Sequence, residues 1–158
     1  MDVKSVFLHG DFHGEICMEK PPGFIQKDSS VFCHLRKSLY VLKQAPRAWY
    51  AKMDRLLLDN RFCRCHSNNT VYTKKVGNSF TILVLYVDNL ILTGSDPNHI
   101  KHVKSSLKNN FEMTDLGHLH YFLGLQVLQS KEGITLSQSK YACDLLHHFH
   151  MEIGRAHV

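Results

Sequence analysis

No two cysteines of this 158-residue chain stand in a C-x-x-C spacing. The five cysteines are an odd number, and Cys63 and Cys65 are separated by one residue, which does not match a zinc-finger spacing. They read as reduced, partly buried thiols of an intracellular protein. Twelve histidines are present, and the clusters Cys63-Arg64-Cys65-His66 and His147-His148-Phe149-His150 invite a metal reading. Neither supplies four ligands at a known spacing, so solvent-facing imidazoles are the better expectation. Long apolar runs are missing too. The most apolar stretch, Phe80 to Leu92, is too short to span a bilayer and carries Asp88 and Asn89 inside it. No charged segment followed by an apolar one opens the chain, so no signal peptide is visible. Internal repeats and low-complexity linkers are likewise lacking. The expectation is a soluble, intracellular protein without a membrane partner.

What is present is ordinary for a globular domain: 44% apolar and 21% charged residues, in a length that suits one domain with a real core. The net charge of +5 favours a polyanionic partner such as nucleic acid without demanding one. Both ends read as cuts. Met1-Asp2 leads straight into a strand-like segment with no polar slack. Glu152 to Val158 has no apolar period, and with permissible codons it back-translates to the opening of a widely used sequencing adapter. Residues 152–158 are therefore expected to be a non-native tail, and residues 1–151 the domain.

Along the chain, Val3–Leu8 reads as a strand with His9-Gly10-Asp11 as its turn. Ile16–Glu19 is a short strand stopped by Lys20-Pro21-Pro22-Gly23, and Val31–Leu35 is another. Pro46 suits the first turn of a helix on which Trp49, Met53, Leu56 and Leu57 form one apolar face ending near Asn60. Val71–Lys75 and Phe80–Val87 are strands, and Asp88-Asn89 is a tight turn into Leu90–Thr93. Asn tolerates the left-handed geometry such a turn needs. Pro97 opens a second helix carrying the stripe Ile100, Val103, Leu107 and Phe111. Tyr121–Leu128 and Ile134–Leu136 are strands. Tyr141, Leu145, Leu146 and Phe149 mark a last helix, capped by Ser137 or Ser139. The order implies an α+β domain, an antiparallel sheet covered by helices on one face.

Phosphoryl transfer with divalent ions needs carboxylates held close together, and a tight hairpin presents one rigidly. Asp88, between Tyr86-Val87 and Leu90-Ile91, is such a residue. Asp88-Asn89 is also simply a good turn dipeptide.

Longer motifs narrow the choice. Asp2-Val3-Lys4-Ser5-Val6-Phe7-Leu8-His9-Gly10 resembles the first palm motif of copia-type reverse transcriptases. Lys20-Pro21-Pro22-Gly23-Phe24 and the stretch from Lys37 to Tyr50 (KSLYVLKQAPRAWY) are similar to later diagnostic segments. Tyr86-Val87-Asp88-Asn89 stands where that family has Tyr-Val-Asp-Asp. His120-Tyr121-Phe122-Leu123-Gly124 and Leu136-Ser137-Gln138-Ser139-Lys140-Tyr141 follow in the family's order. The resemblance spans about residues 1–151.

The resemblance implies a polymerase palm with partial fingers, cut from a retrotransposon Pol polyprotein. The implied activity is RNA-directed DNA polymerase, by two-metal nucleotidyl transfer with Mg2+. The implied partners are an RNA or DNA template–primer, a dNTP and the rest of the polyprotein, and the implied location is a cytoplasmic virus-like particle. Asp2 and Asp88 would hold the nucleotide-associated ion. Phe7 would pack under the sugar and exclude a 2′-hydroxyl, although a strand Phe in a core reads the same way. Gln44 would contact the incoming nucleotide or template, although a solvated residue before a helix would look alike. Leu123-Gly124 would be the turn that grips the primer, although ordinary strand packing reads the same way. Two departures count against turnover. Asn89 replaces the second hairpin Asp, and a neutral amide oxygen binds magnesium more weakly than a carboxylate. Val41 stands where the family has Gly, which is strained if that position needs a positive φ. The implied thumb and ribonuclease H lie outside the fragment. Impaired catalysis is therefore expected. The rival expectations are a non-catalytic nucleic-acid-binding remnant, a non-functional relic and, last, a His/Cys metal module.

Overall fold

The first helix is fifteen residues long, and its boundaries follow from local chemistry. The computed structural model describes residues 1–11, 15–21, 23–24, 32–40 and 42–151. Pro22, Val31, Val41 and the tail 152–158, on which some expectations rested, lie outside them. The elements run β1 (Asp2–Val3), a 3-10 turn (Val6–His9), β2 (Cys17–Met18), β3 (Cys33–His34), α1 (Ala45–Asp59), β4 (Cys63–Arg64), β5 (Val71–Val76) and β6 (Ser79–Tyr86). They continue with β7 (Asn89–Gly94), α2 (Pro97–Asn110), β8 (Met113–Thr114), β9 (Tyr121–Phe122), β10 (Leu125–Gln129), β11 (Ile134–Ser137) and α3 (Ser139–His148).

Helix α1 starts with Pro46 in its first turn, where the missing N–H is no loss. It ends in a Schellman motif. Arg61 takes the left-handed conformation (φ 62°) and donates to the Leu58 carbonyl, while Phe62 N–H donates to Leu57 at 3.0 Å. Leu57 and Phe62 are both buried, which supplies the hydrophobic contact that accompanies this ending. Helix α2 is capped by Asp96, whose carboxylate accepts from Asn98 N–H at 2.9 Å.

Six strands form one antiparallel sheet in the order β4-β5-β6-β7-β1-β8. On β6 the side chains alternate, as a half-buried strand requires: Thr81, Leu83 and Leu85 are buried, and Phe80 and Tyr86 are half exposed. The buried face meets α1 and α2 in one cluster containing Val3, Trp49, Met53, Leu57, Tyr72, Leu83, Leu90, Val103, Leu107 and Phe111. Each fully buried large apolar side chain contributes about 1.5–3 kcal/mol relative to exposure. This unit, Met1–Asp115, carries both helices on one sheet face. A second compact unit begins at Leu116 and holds the three-stranded sheet β11-β10-β9 together with α3. The mixed α and β content and the antiparallel pairing agree with the sequence reading.

Three local expectations are corrected. Val3–Leu8 is not one strand, because Ser5 turns left-handed (φ 51°) and Val6–His9 coil into the 3-10 turn; β8 offers only two residues for pairing. Tyr121–Leu128 is broken at Leu123-Gly124, both at positive φ (50° and 80°), into the hairpin β9–β10. Neither Ser137 nor Ser139 caps α3. Gln138 occupies the cap position without a side-chain bond, and Ser139 Oγ lies 3.3 Å from Ser137 Oγ.

Candidate active site

The sheet register assembles the site. Asp2 on β1 pairs directly with Asn89 on β7, and Asn89 pairs with Tyr86 on β6. Directly opposed residues of antiparallel strands share a face, so Asp2, Asn89 and Tyr86 stand together on the side away from the helices. Neighbouring Leu90 and Leu85 form the next pair and are buried on the helix side. Backbone bonds tie β1 to the hairpin: Val3 N–H donates to the Asp88 carbonyl at 2.9 Å and Leu90 N–H to the Met1 carbonyl at 2.8 Å.

Because Tyr86 pairs with Asn89, the two turn residues are Val87 and Asp88, one position earlier than the Asp88-Asn89 turn expected from sequence. The left-handed residue is Val87, with φ 53°. A β-branched residue in that region costs about 1–3 kcal/mol, so surrounding contacts must hold it. One is plain: the indole Nε1–H of buried Trp49 donates to the Val87 carbonyl at 2.7 Å. The sequence reading placed Trp49 only on the apolar face of α1. Its N–H donor was the available signal, since a buried indole needs an acceptor.

Asp2, Asp88 and Asn89 are all half-buried. Asn89 Nδ2 donates to Asp88 Oδ1 at 2.8 Å. The amide therefore directs its donor end at the neighbouring carboxylate, and that bond occupies one carboxylate oxygen. Among the described residues no three His, Cys, Asp or Glu side chains gather as a metal-holding group. Asp88 in the hairpin turn and Asp2 on β1 supply one carboxylate each and Asn89 an amide oxygen, and oxygen ligands of this kind are those a hard divalent cation prefers. Beside it Lys4 and Glu112 form an exposed ion pair at 2.7 Å, whose hydrogen bond and charge hold the Glu112 carboxyl below its ordinary range.

The other expected residues sit as follows. Phe7 lies in the 3-10 turn rather than on a strand, half-buried, its ring edge-on to Tyr40 at 4.8 Å, and its carbonyl accepts from Ser38 Oγ. Gln44 is exposed at the start of α1 with no side-chain capping bond. It lines a cavity of about 640 Å3 along α1 together with Arg47, Lys52 and Arg55; neither Asp2 nor Asp88 lines it. Leu123 and Gly124 form the β9–β10 turn of the second unit. Gly10 was seen only as part of a turn. A Cβ there would come within 2.8–3.0 Å of Ser38 Oγ, Ala48 Cβ and Trp49 N, so only Gly lets α1 approach this closely.

Residues 1–156 match the family model described as reverse transcriptase (RNA-dependent DNA polymerase). The chain belongs to this family. Relatives include the retrovirus-related Pol polyproteins from transposons RE2 and RE1 of Arabidopsis thaliana, 39% and 40% identical over 147 residues. Each alignment covers 92% of this chain and 10% of the relative. The Pol polyprotein from transposon TNT 1-94 of Nicotiana tabacum is 40% identical over 156 residues, 96% of this chain and 12% of the relative. The chain thus spans about a tenth of the length of these relatives, and the copia-type resemblance read from the motifs is borne out. No solved structure matches. No helix among the described residues of this chain is long and apolar enough to cross a membrane.

Proposed function

We propose that the chain is the palm portion of an RNA-directed DNA polymerase within a Pol polyprotein, with its metal site weakened by Asn89. The observation that carries this reading is the pairing of Asp2 with Asn89 beside the Asp88 turn, in a chain of the reverse transcriptase family. Asp2 and Asp88 would hold a magnesium ion on the open face of the sheet. When bound, such ions supply positive charge against the developing charge of an in-line displacement at the α-phosphate of a dNTP, with pyrophosphate leaving. Asn89 contributes a neutral donor where a carboxylate would help bind the ion next to the primer 3′-hydroxyl. Its hydrogen bond to Asp88 also offsets, without a cation, part of the negative charge that would otherwise attract one. The family roles of Phe7 against the sugar, Gln44 against nucleotide or template, and Leu123-Gly124 against the primer belong to the same proposal. Nucleic acid as partner is supported further by the net charge of +5.

The test restores Asn89→Asp in a polyprotein-length reverse transcriptase carrying this segment and measures magnesium-dependent primer extension. A gain of about ten-fold or more is expected from the added ligand charge. No gain sinks the reading. Salt-sensitive template–primer binding that ignores magnesium would then replace it with a purely binding role.

A further inference from the structure

We propose that Trp49 is a positioning residue for Asp88, acting through its indole N–H on the peptide unit that precedes the carboxylate. The inference rests on the reading of Asp88 as a metal-holding group. The Val87 carbonyl, which accepts the Trp49 bond at 2.7 Å, belongs to the planar Val87–Asp88 peptide. The next carbonyl, that of Asp88, accepts from Val3 N–H at 2.9 Å. Both peptide planes flanking the Asp88 Cα are thus held from outside the turn, one by helix α1 and one by strand β1. With its two neighbours fixed, the Cα–Cβ direction of Asp88 is fixed as well.

The turn needs such support. Val87 is in the left-handed region and its side chain is 47% exposed, so it does not anchor itself by packing. Trp49 is a rigid post for this purpose. It is 2% exposed, and its ring meets Phe111 edge-on at 5.1 Å and lies 6.0 Å from the His9 ring. Its backbone is locked by the close approach of Gly10, where a Cβ would lie 3.0 Å from Trp49 N. The blander account is a core Trp that meets its hydrogen-bond need on the nearest carbonyl. The two accounts differ in what happens when the N–H is lost and the shape is kept.

Trp49 is the sole tryptophan, so a tryptophan isostere placed by codon reassignment enters at one site. The experiment replaces Trp49 by benzothienylalanine, in which sulfur takes the place of the N–H, in the 15N-labelled 158-residue chain. Amide hydrogen exchange is then read at Val3 and Asn89. The proposal expects exchange at both to rise about ten-fold, consistent with loss of one buried hydrogen bond, while amides of α1 and β5 stay unchanged. Exchange within two-fold of the parent at both amides overturns it. A second measurement needs no variant of Trp49. The single indole N–H resonance should exchange slowly with solvent and shift on Asn89→Asp; a freely exchanging indole overturns the proposal even if the isostere does not fold. Magnesium is added in both backgrounds as a separate arm. If no resonance near Asp2 or Asp88 responds, the metal reading fails, while the exchange data still decide the role of Trp49.

Discussion

Tyr72 shows how much one buried polar side chain can govern. It is fully buried in the sheet, and its hydroxyl lies 2.8 Å from Asp54 Oδ1 and 3.1 Å from the Tyr50 hydroxyl. Asp54 is also gripped by the Arg64 guanidinium. Burial, then the hydrogen bonds to Tyr50 and Asp54, raise the Tyr72 pKa well above its ordinary value. A raised tyrosine keeps its proton longer folded than unfolded. Its contribution is therefore constant below about pH 10 and falls as pH rises beyond that, where the unfolded phenol ionises first. Urea denaturation at pH 8 and pH 11 should show a larger loss for the parent than for Tyr72→Phe. At pH 8 the variant itself should be less stable by about 1–3 kcal/mol, since Asp54 loses a donor. Equal losses with pH in both proteins would refute this. At the same scale the sequence made Asp2, Asp88 and Asn89 legible, because they lie in long motifs. It did not reveal that Val87 carries the positive φ. Propensity favours Asn for that geometry, and the choice was settled by strand register, fixed by Leu85 and Leu90 pairing on the buried face.

Among elements, α1 and α2 were legible because apolar periodicity and a Pro at the start agree with one another in each. The two-residue strands β1, β4 and β8 were not: so short a segment has no period, and its conformation comes from partners distant in sequence. The β9–β10 hairpin lies between these cases. Its turn residues Leu123 and Gly124 are both left-handed, the geometry that favours Asn-Gly, and Leu123 is half exposed. Leucine bears a local conformational cost there that partial burial does little to offset, and the proposed primer contact would be the reason it stands at that position. Leu123→Asn should raise the stability of the hairpin by about 1 kcal/mol, read as slower amide exchange in β9 and β10. In a polyprotein-length enzyme the same change should weaken template–primer binding. The primer-contact role fails if stability rises and binding is unaltered.

At the scale of the molecule the two units differ in how much they bury. In Met1–Asp115 a cluster of aromatic and aliphatic side chains is closed between α1, α2 and one face of the six-stranded sheet. In the unit from Leu116 onward, Val127 alone is buried among the described residues, while Ile134, Leu136, Tyr141 and Phe149 are largely exposed. Sequence periodicity found α3 correctly but carried no information on whether its stripe would be covered, because periodicity reports a face and not a partner. Opening free energy follows buried apolar area, so the units should not share one stability. Hydrogen exchange of the 158-residue chain should show β5, β6 and β7 protected up to the global limit. Amides of β10, β11 and α3 should exchange at least about a hundred-fold faster, through local opening. Uniform protection across both sets would mean that the chain opens as one cooperative body, and the division at Leu116 would then carry no energetic meaning.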